Sequence, residues 1–259
     1  MVSLLPVKRA ALGFFAGVRA VLGGVGFVVS RPSVWPLAAV PVLVACALLG
    51  GLGTGAVALG TEIAHRIAGD PATSTGAAAG FWVVRVLAWV VGLVLAFVVA
   101  ISLAQPLSGP ALEGVARRQE VALGGRTWPD QPFFAGVLRS LRVSLTALAI
   151  GLPILGVLAL ITLLFPPAGV VTIPLKFLVT GLLAAYDFLD YPFSVRGQGV
   201  RARLAFMREE AWAVLGFGVT TAALLLIPLM GLFLLPFGVA GATRLLVERD
   251  GKPLAVPRG

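Results

Sequence analysis

Charged residues are missing from four long runs of this chain, and the run lengths predict its elements. Pro32–Thr61 is uncharged for 30 residues, Val86–Leu112 for 27, Val143–Leu175 for 33 and Ala211–Thr243 for 33. One helical crossing of a bilayer takes about 20 apolar residues, and two crossings with a turn take about 45. The first two runs therefore predict one transmembrane helix each. The last two are too long to cross once and too short to cross twice. They also hold internal prolines: Pro153, Pro166, Pro167 and Pro174 in one, Pro228 and Pro236 in the other. Both predict helical hairpins that enter the bilayer part-way and return to the side they left. Irregular backbone survives at that depth only when buried in protein or lining an aqueous cavity.

The third run is interrupted by Lys176 and then continues to Tyr186, 44 residues in all. Its apex is expected within Phe165–Pro174. The first arm is long enough to cross, but the second, Leu175–Tyr186, is too short. Ahead of the uncharged runs, Met1–Arg31 is broken by Lys8, Arg9, Arg19 and Arg31. Phe14, Val18, Val21, Val25 and Val28 recur at helical spacing, which predicts an amphipathic N-terminal helix. Such a helix lies along the interface as an anchor or packs on other helices. No short apolar core with a small-residue cut site follows the basic start, so this segment is expected to be retained. The fold class is thus an all-α integral membrane protein, with two long transmembrane helices, two re-entrant hairpins and an amphipathic N-terminal helix. We read residues 1–259 as a single membrane domain ending in a cytoplasmic tail, 244–259.

Composition adds one constraint. Of 259 residues 59% are hydrophobic and 12% charged, and mean hydropathy is +1.01. Soluble domains carry about 25% charged residues, so lipid is the solvent here. The net charge of +9 comes from 20 basic residues, parcelled into short segments between apolar runs. Membrane topology alone produces that pattern, and it argues against a nucleic-acid partner, which needs the charges on one face with aromatic neighbours. The N-terminus, Glu113–Arg142, Asp187–Glu210 and the tail hold most Lys and Arg, whereas Glu62–Gly80 holds Arg66. The positive-inside rule puts the four basic segments in the cytoplasm and Glu62–Gly80 outside.

Little of the chain suggests catalysis. Cys46 is the single cysteine and His65 the single histidine, so a cysteine metal cluster is excluded and His65 has no ligating company. Nucleophile-elbow, phosphate-loop and zinc-protease motifs are absent; no enzyme and no cofactor are expected. Lys176 is the one charge inside the first hairpin. A charge near the bilayer centre costs roughly 2.5–3.5 kcal/mol and commonly faces a cavity, so Lys176 is a candidate on an anion pathway, unless it snorkels to an interface. Glu113 and Arg117, four residues apart on an expected extension of the second long helix, make an ordinary ion pair or a cytoplasmic gate. Asp187 and Asp190 lie where the returning arm reaches the cytoplasm and suit backbone capping at a turn. Gly51 and Gly55 give a G-x-x-x-G spacing that lets helices approach closely.

Four short motifs in order resemble the CysZ-like sulfate permease family, which shares a domain with the etoposide-induced transmembrane proteins. They are Ala104-Gln105-Pro106-Leu107, Leu189-Asp190-Tyr191-Pro192, Gly216-Phe217-Gly218 and Ala240-Gly241-Ala242-Thr243. The likeness covers roughly residues 14–246. It implies two long helices, two part-penetrating hairpins, cytoplasmic termini, homo-oligomeric assembly and an inorganic anion such as sulfate as cargo. The family's basic motif at the entrance of the first long helix is not matched, because Trp35 and Pro36 stand where arginines are implied. Arg31 and Ser33 lie just ahead and join Lys176 as anion-pathway candidates.

The reading is a multi-pass inner-membrane anion transporter or channel in contact with membrane lipids. The alternative is a non-transporting scaffold of the same domain family. Topology is open to a direct check in a Cys46→Ala background. Gly76→Cys should react with a membrane-impermeant maleimide from outside and Arg201→Cys should not; the reverse pattern would overturn the orientation.

Overall fold

In a computed structural model the structure describes residues 4–69, 75–129, 133–227 and 230–250. Among these residues the regular elements are helical: α1 (Leu4–Ser30), α2 (Trp35–Ala68), α3 (Thr75–Leu107), α4 (Gly109–Ala122), α5 (Phe133–Leu164), α6 (Gly169–Val195), α7 (Val200–Glu209), α8 (Ala211–Leu225) and α9 (Met230–Asp250). Helices satisfy their own backbone, the requirement lipid imposes. Five stretches are long and apolar enough to cross a membrane: Ala10–Ser30, Pro32–Ala68, Gly76–Leu107, Leu141–Leu164 and Pro166–Val195. The residues divide into two compact units, 40–108 and the remainder.

Proline sets two of the breaks. Arg31 precedes Pro32 and adopts an extended φ of −122°; Phe165 precedes Pro166 with φ of −135°. The ring of a proline pushes the residue before it out of the helical region. Each break is followed by a 3-10 turn, Pro32–Val34 and Pro166–Ala168, and a new helix starts at once.

The larger unit is built around α1, which packs along α8 and α9. Its contact face is made of glycine. A Cβ on Gly17 would collide with the Ala213 carbonyl, and one on Gly24 with the backbone of Phe237 and Gly241. Gly216 of α8 meets the Phe14 carbonyl, while Gly181 of α6 and Gly218 of α8 face one another backbone to backbone. Between these crossings lie the buried side chains of Phe217, Leu189, Leu112, Leu234 and Leu245. Phe188 and Phe217 meet edge to face at 6.4 Å.

The smaller unit is an antiparallel pair made by α3 and most of α2. Trp89 Nε1 donates to the Val57 carbonyl at 3.0 Å and to Thr61 Oγ1 at 3.3 Å. Further along, Gly92 lies against Ala56, and at the other end His65 and Phe81 stack at 4.7 Å. Most large side chains of α3, from Trp82 to Leu103, are exposed, as lipid-facing residues must be.

Several sequence expectations need correction. Within the described part of Met1–Arg31, α1 packs on other helices. Of its expected valine stripe, Val21 and Val28 are buried, and the true contact face is rotated onto Gly13, Gly17 and Gly24. The first hairpin turns at Phe165–Ala168, inside the expected apex. Its second arm, however, begins at Gly169 and runs through Pro174 to Val195, which at 1.5 Å per residue is about 40 Å. Length alone therefore does not hold α6 to part of the bilayer, and Pro174 lies inside the helix without ending it. In the second hairpin, α8 has 15 residues, about 22 Å against a hydrocarbon core of about 30 Å. Pro228 of that turn lies outside the described residues. The expected tail is helical up to Asp250, and Glu113 and Arg117 lie on α4, which a turn at Ser108 separates from α3. Gly51 and Gly55 have nothing within 4 Å of an added Cβ.

The glycine contact predicts an asymmetric response to bulk. Gly17→Val should lower stability by about 1–3 kcal/mol or more, as overpacking does, whereas Gly26→Val, where an added Cβ meets nothing within 4 Å, should cost far less. Thermal unfolding in detergent would compare them; equal loss would contradict the packing.

Candidate anion site

Where α1 ends, the chain makes a short bracket. Trp35 Nε1 donates to the Val28 carbonyl at 3.0 Å, and Val34 N donates to Arg31 O at 2.9 Å. The bracket opens onto α4, whose Arg118 Nη1 donates to the Ser33 carbonyl. Together they line a cavity of about 440 Å³ with Arg31, Ser33, Arg117 and Arg118 at its polar side and Phe27 and Val121 at its apolar side. Arg31 stands over the Phe27 ring, 4.9 Å from its centroid. Arg31 and Arg118 are exposed, and among the described residues neither pairs with a carboxylate. Guanidinium groups bind the paired oxygens of an oxyanion through a planar fork of N–H donors. Three of them around one concave surface make this cleft the candidate site for an anion.

Arg117 is partly committed elsewhere. Its Nη1 donates to the carbonyls of Trp128, at 2.7 Å, and Pro129, which fastens the segment after α4. Its contact with Glu113 is long, Nη2 to Oε2 3.9 Å. Glu113 is buried and accepts from Ser194 Oγ at 2.8 Å, so it joins α4 to α6.

Lys176 is outside the cavity. It lies on α6, two turns beyond the hairpin turn, and its Nζ donates to Thr162 Oγ1 of α5 at 3.2 Å. Thr162 and Thr172 hydroxyls are 2.6 Å apart. The lysine thus faces its partner arm, half-buried in a polar cluster within an apolar hairpin. Structure brings Arg31, Ser33 and Arg117 together and leaves Lys176 apart.

Three arginines that sequence reasoning treated as loop charges hold the unit together. Arg118 contributes to the cavity from 85 residues away; the Arg117-Arg118 doublet was the available signal. Arg203 is 1% exposed, pairs with Asp190 at 2.5 Å and lies 3.9 Å from the Tyr186 ring centroid. Asp190 therefore holds α7 onto α6 rather than capping a turn. Arg196 bridges buried Glu120 of α4, at 3.1 Å, and Asp250 at the end of α9. Trp128 Nε1 also donates to Glu120, at 2.9 Å. Among the described residues no three His, Cys, Asp or Glu side chains converge to hold a metal.

Arg196→Met should cost about 3–5 kcal/mol, the penalty for stranding a buried charge, read as loss of thermal stability in detergent. Arg196→Met combined with Glu120→Gln should recover part of it; no recovery would refute the pair.

A model of the family described as Sulfate transporter CysZ/Etoposide-induced protein 2.4 matches residues 20–236. The protein named Sulfate transporter CysZ of Pseudomonas paraeruginosa is 32% identical over 171 residues, 63% of this chain and 68% of its own length. Its counterpart in Pseudomonas aeruginosa is 32% identical over 167 residues, 62% and 66% of the two chains. That of Salmonella typhimurium is 30% identical over 151 residues, 57% and 59%. These relatives are named as transporters, not enzymes.

Proposed function

We propose that this chain, which belongs to the Sulfate transporter CysZ/Etoposide-induced protein 2.4 family, is a bacterial inner-membrane permease for sulfate-like oxyanions. The observation that carries the reading is the cleft at the end of α1, where Arg31, Arg118 and Arg117 converge beside Ser33. A divalent tetrahedral anion gains from several guanidinium donors at once. Arg118 supplies from α4 the cation that the sequence around Trp35 and Pro36 lacks. Lys176 serves further along, where its ammonium, held by Thr162, keeps positive potential inside the α5–α6 hairpin.

In this reading both hairpins return their ends to the cytoplasmic side and penetrate the bilayer part-way. For α8–α9 the support is the shortness of α8. For α5–α6 it is the family likeness, since both arms are long enough to cross. The termini are cytoplasmic, the long α2–α3 pair spans the membrane, and copies of the chain assemble so that the polar hairpin faces are not left to lipid.

Purified protein in liposomes should take up radiolabelled sulfate without nucleotide. Arg118→Gln and Arg31→Gln should each reduce uptake by about tenfold, the worth of one charge-assisted hydrogen bond, and Lys176→Ala should alter rate or selectivity. Absence of flux for sulfate, sulfite, thiosulfate, phosphate and chloride would overturn the transport reading and leave the scaffold. For the hairpin, Ala168→Cys in a Cys46→Ala background should resist impermeant reagents from outside; ready labelling would show that α5–α6 crosses completely.

A further inference from the structure

A single cation caged by aromatic rings lies in the α2–α3 unit, and nothing so far accounts for it. Arg85 is the one charged residue of α3. Its guanidinium stands 4.4 Å from the Trp89 ring centroid, 4.8 Å from Trp82 and 5.8 Å from Phe81. The rings are themselves fixed. Trp89 is hydrogen-bonded across to α2 at Val57 and Thr61, Phe81 is buried against His65, and Phe81 and Trp82 meet edge to face.

Cation–π contact of this kind covers the faces of the guanidinium and leaves its edge as the only recognition surface. That edge is unused. Nε is buried with no hydrogen-bond acceptor, and among the described residues Arg85 makes no ion pair. Nε is enclosed by its neighbours, so the half-buried guanidinium offers its two Nη groups, which have no acceptor among the described residues, to a ligand that brings oxygens.

Position narrows the ligand class. Arg85 lies ten residues after the start of α3, about 15 Å along its axis. With 33 residues α3 is about 50 Å long, some 20 Å more than the hydrocarbon core. Arg85 therefore reaches the headgroup region directly or by snorkelling, flanked by tryptophans of the kind that mark that boundary.

We propose that Arg85, held by Trp82 and Trp89, binds one tetrahedral oxyanion through its guanidinium edge. The oxyanion is either the phosphodiester of an anionic lipid or free sulfate or phosphate. The site does not depend on transport, and it lies in a different structural unit from the α1–α4 cleft.

Binding is best read in the full chain carrying Arg31→Gln and Arg118→Gln, so that the cleft does not contribute. Three probes are used: inorganic sulfate and inorganic phosphate by titration calorimetry in neutral detergent, and phosphatidylglycerol by native mass spectrometry. One probe class should bind with unit stoichiometry; phosphatidylglycerol alone identifies a lipid site, and the inorganic ions identify a solute site. Adding Arg85→Gln should abolish that binding, and Arg85→Lys should weaken it about tenfold because an ammonium keeps the charge but loses the fork. If Arg85→Gln does not fold, Arg85→Lys decides. The proposal is overturned if none of the three probes binds, or if the Arg85 variants bind as tightly as their parent.

Discussion

Lipid tails are as apolar as leucine, so hydrophobicity does not drive one membrane helix against another. Close approach of backbones must do it through dispersion. In the larger unit that constraint falls on a few glycines. Gly17 and Gly24 let α1 lie on α8 and α9, and the paired Gly181 and Gly218 let α6 lie on α8. Each admits backbone contact that any side chain would block. The leucine and phenylalanine core fills the spaces these crossings leave.

Placing α1 in this way places the arginine-lined cleft proposed to receive the anion. Once α1 is fixed on α8 and α9, its end at Ser30 is fixed as well, and Pro32 forces the chain out of the helix there. Trp35 ties the bracket back to Val28, and Arg118 closes it from α4. The polar joints gather around the C-terminal end of α6: Glu113 with Ser194, Glu120 with Arg196, and Asp190 with Arg203. Apolar contact thus organises the packing of α1, α8 and α9, whereas charge-assisted contacts tie α4, α7 and α9 to the C-terminal end of α6. These joints are almost fully buried, with Arg203 1% and Glu120 2% exposed, so each charge there depends on its partner.

Run length and loop charge made the helical class and the order of elements legible from sequence. They also located the first hairpin's turn, because consecutive prolines at 166 and 167 break a helix whatever surrounds them. Exact arm lengths were not legible. Pro174 reads as a stop signal, yet α6 runs through it. The valine stripe of the N-terminal segment marked the packed side of α1 but lay at the edge of the contact face, whose centre is glycine. Glycine spacing at Gly13, Gly17 and Gly24 carried that information, but 32 glycines make any one spacing common. Arg31 and Ser33 were legible as candidates, while Arg118 was not, because its partnership depends on where α4 lies. Two adjacent arginines in a basic segment look like topology signals until one is seen on the Ser33 carbonyl.

The account stands on the oxyanion being received between the end of α1 and α4. Selenate has the charge and shape of sulfate and scatters anomalously, so it can be located without ambiguity. An anomalous difference map from selenate-soaked crystals should show a peak within hydrogen-bonding distance of the Arg31 and Arg118 guanidinium groups, reduced in Arg118→Gln. A map with selenate bound elsewhere in the larger unit and none in this cleft would contradict it.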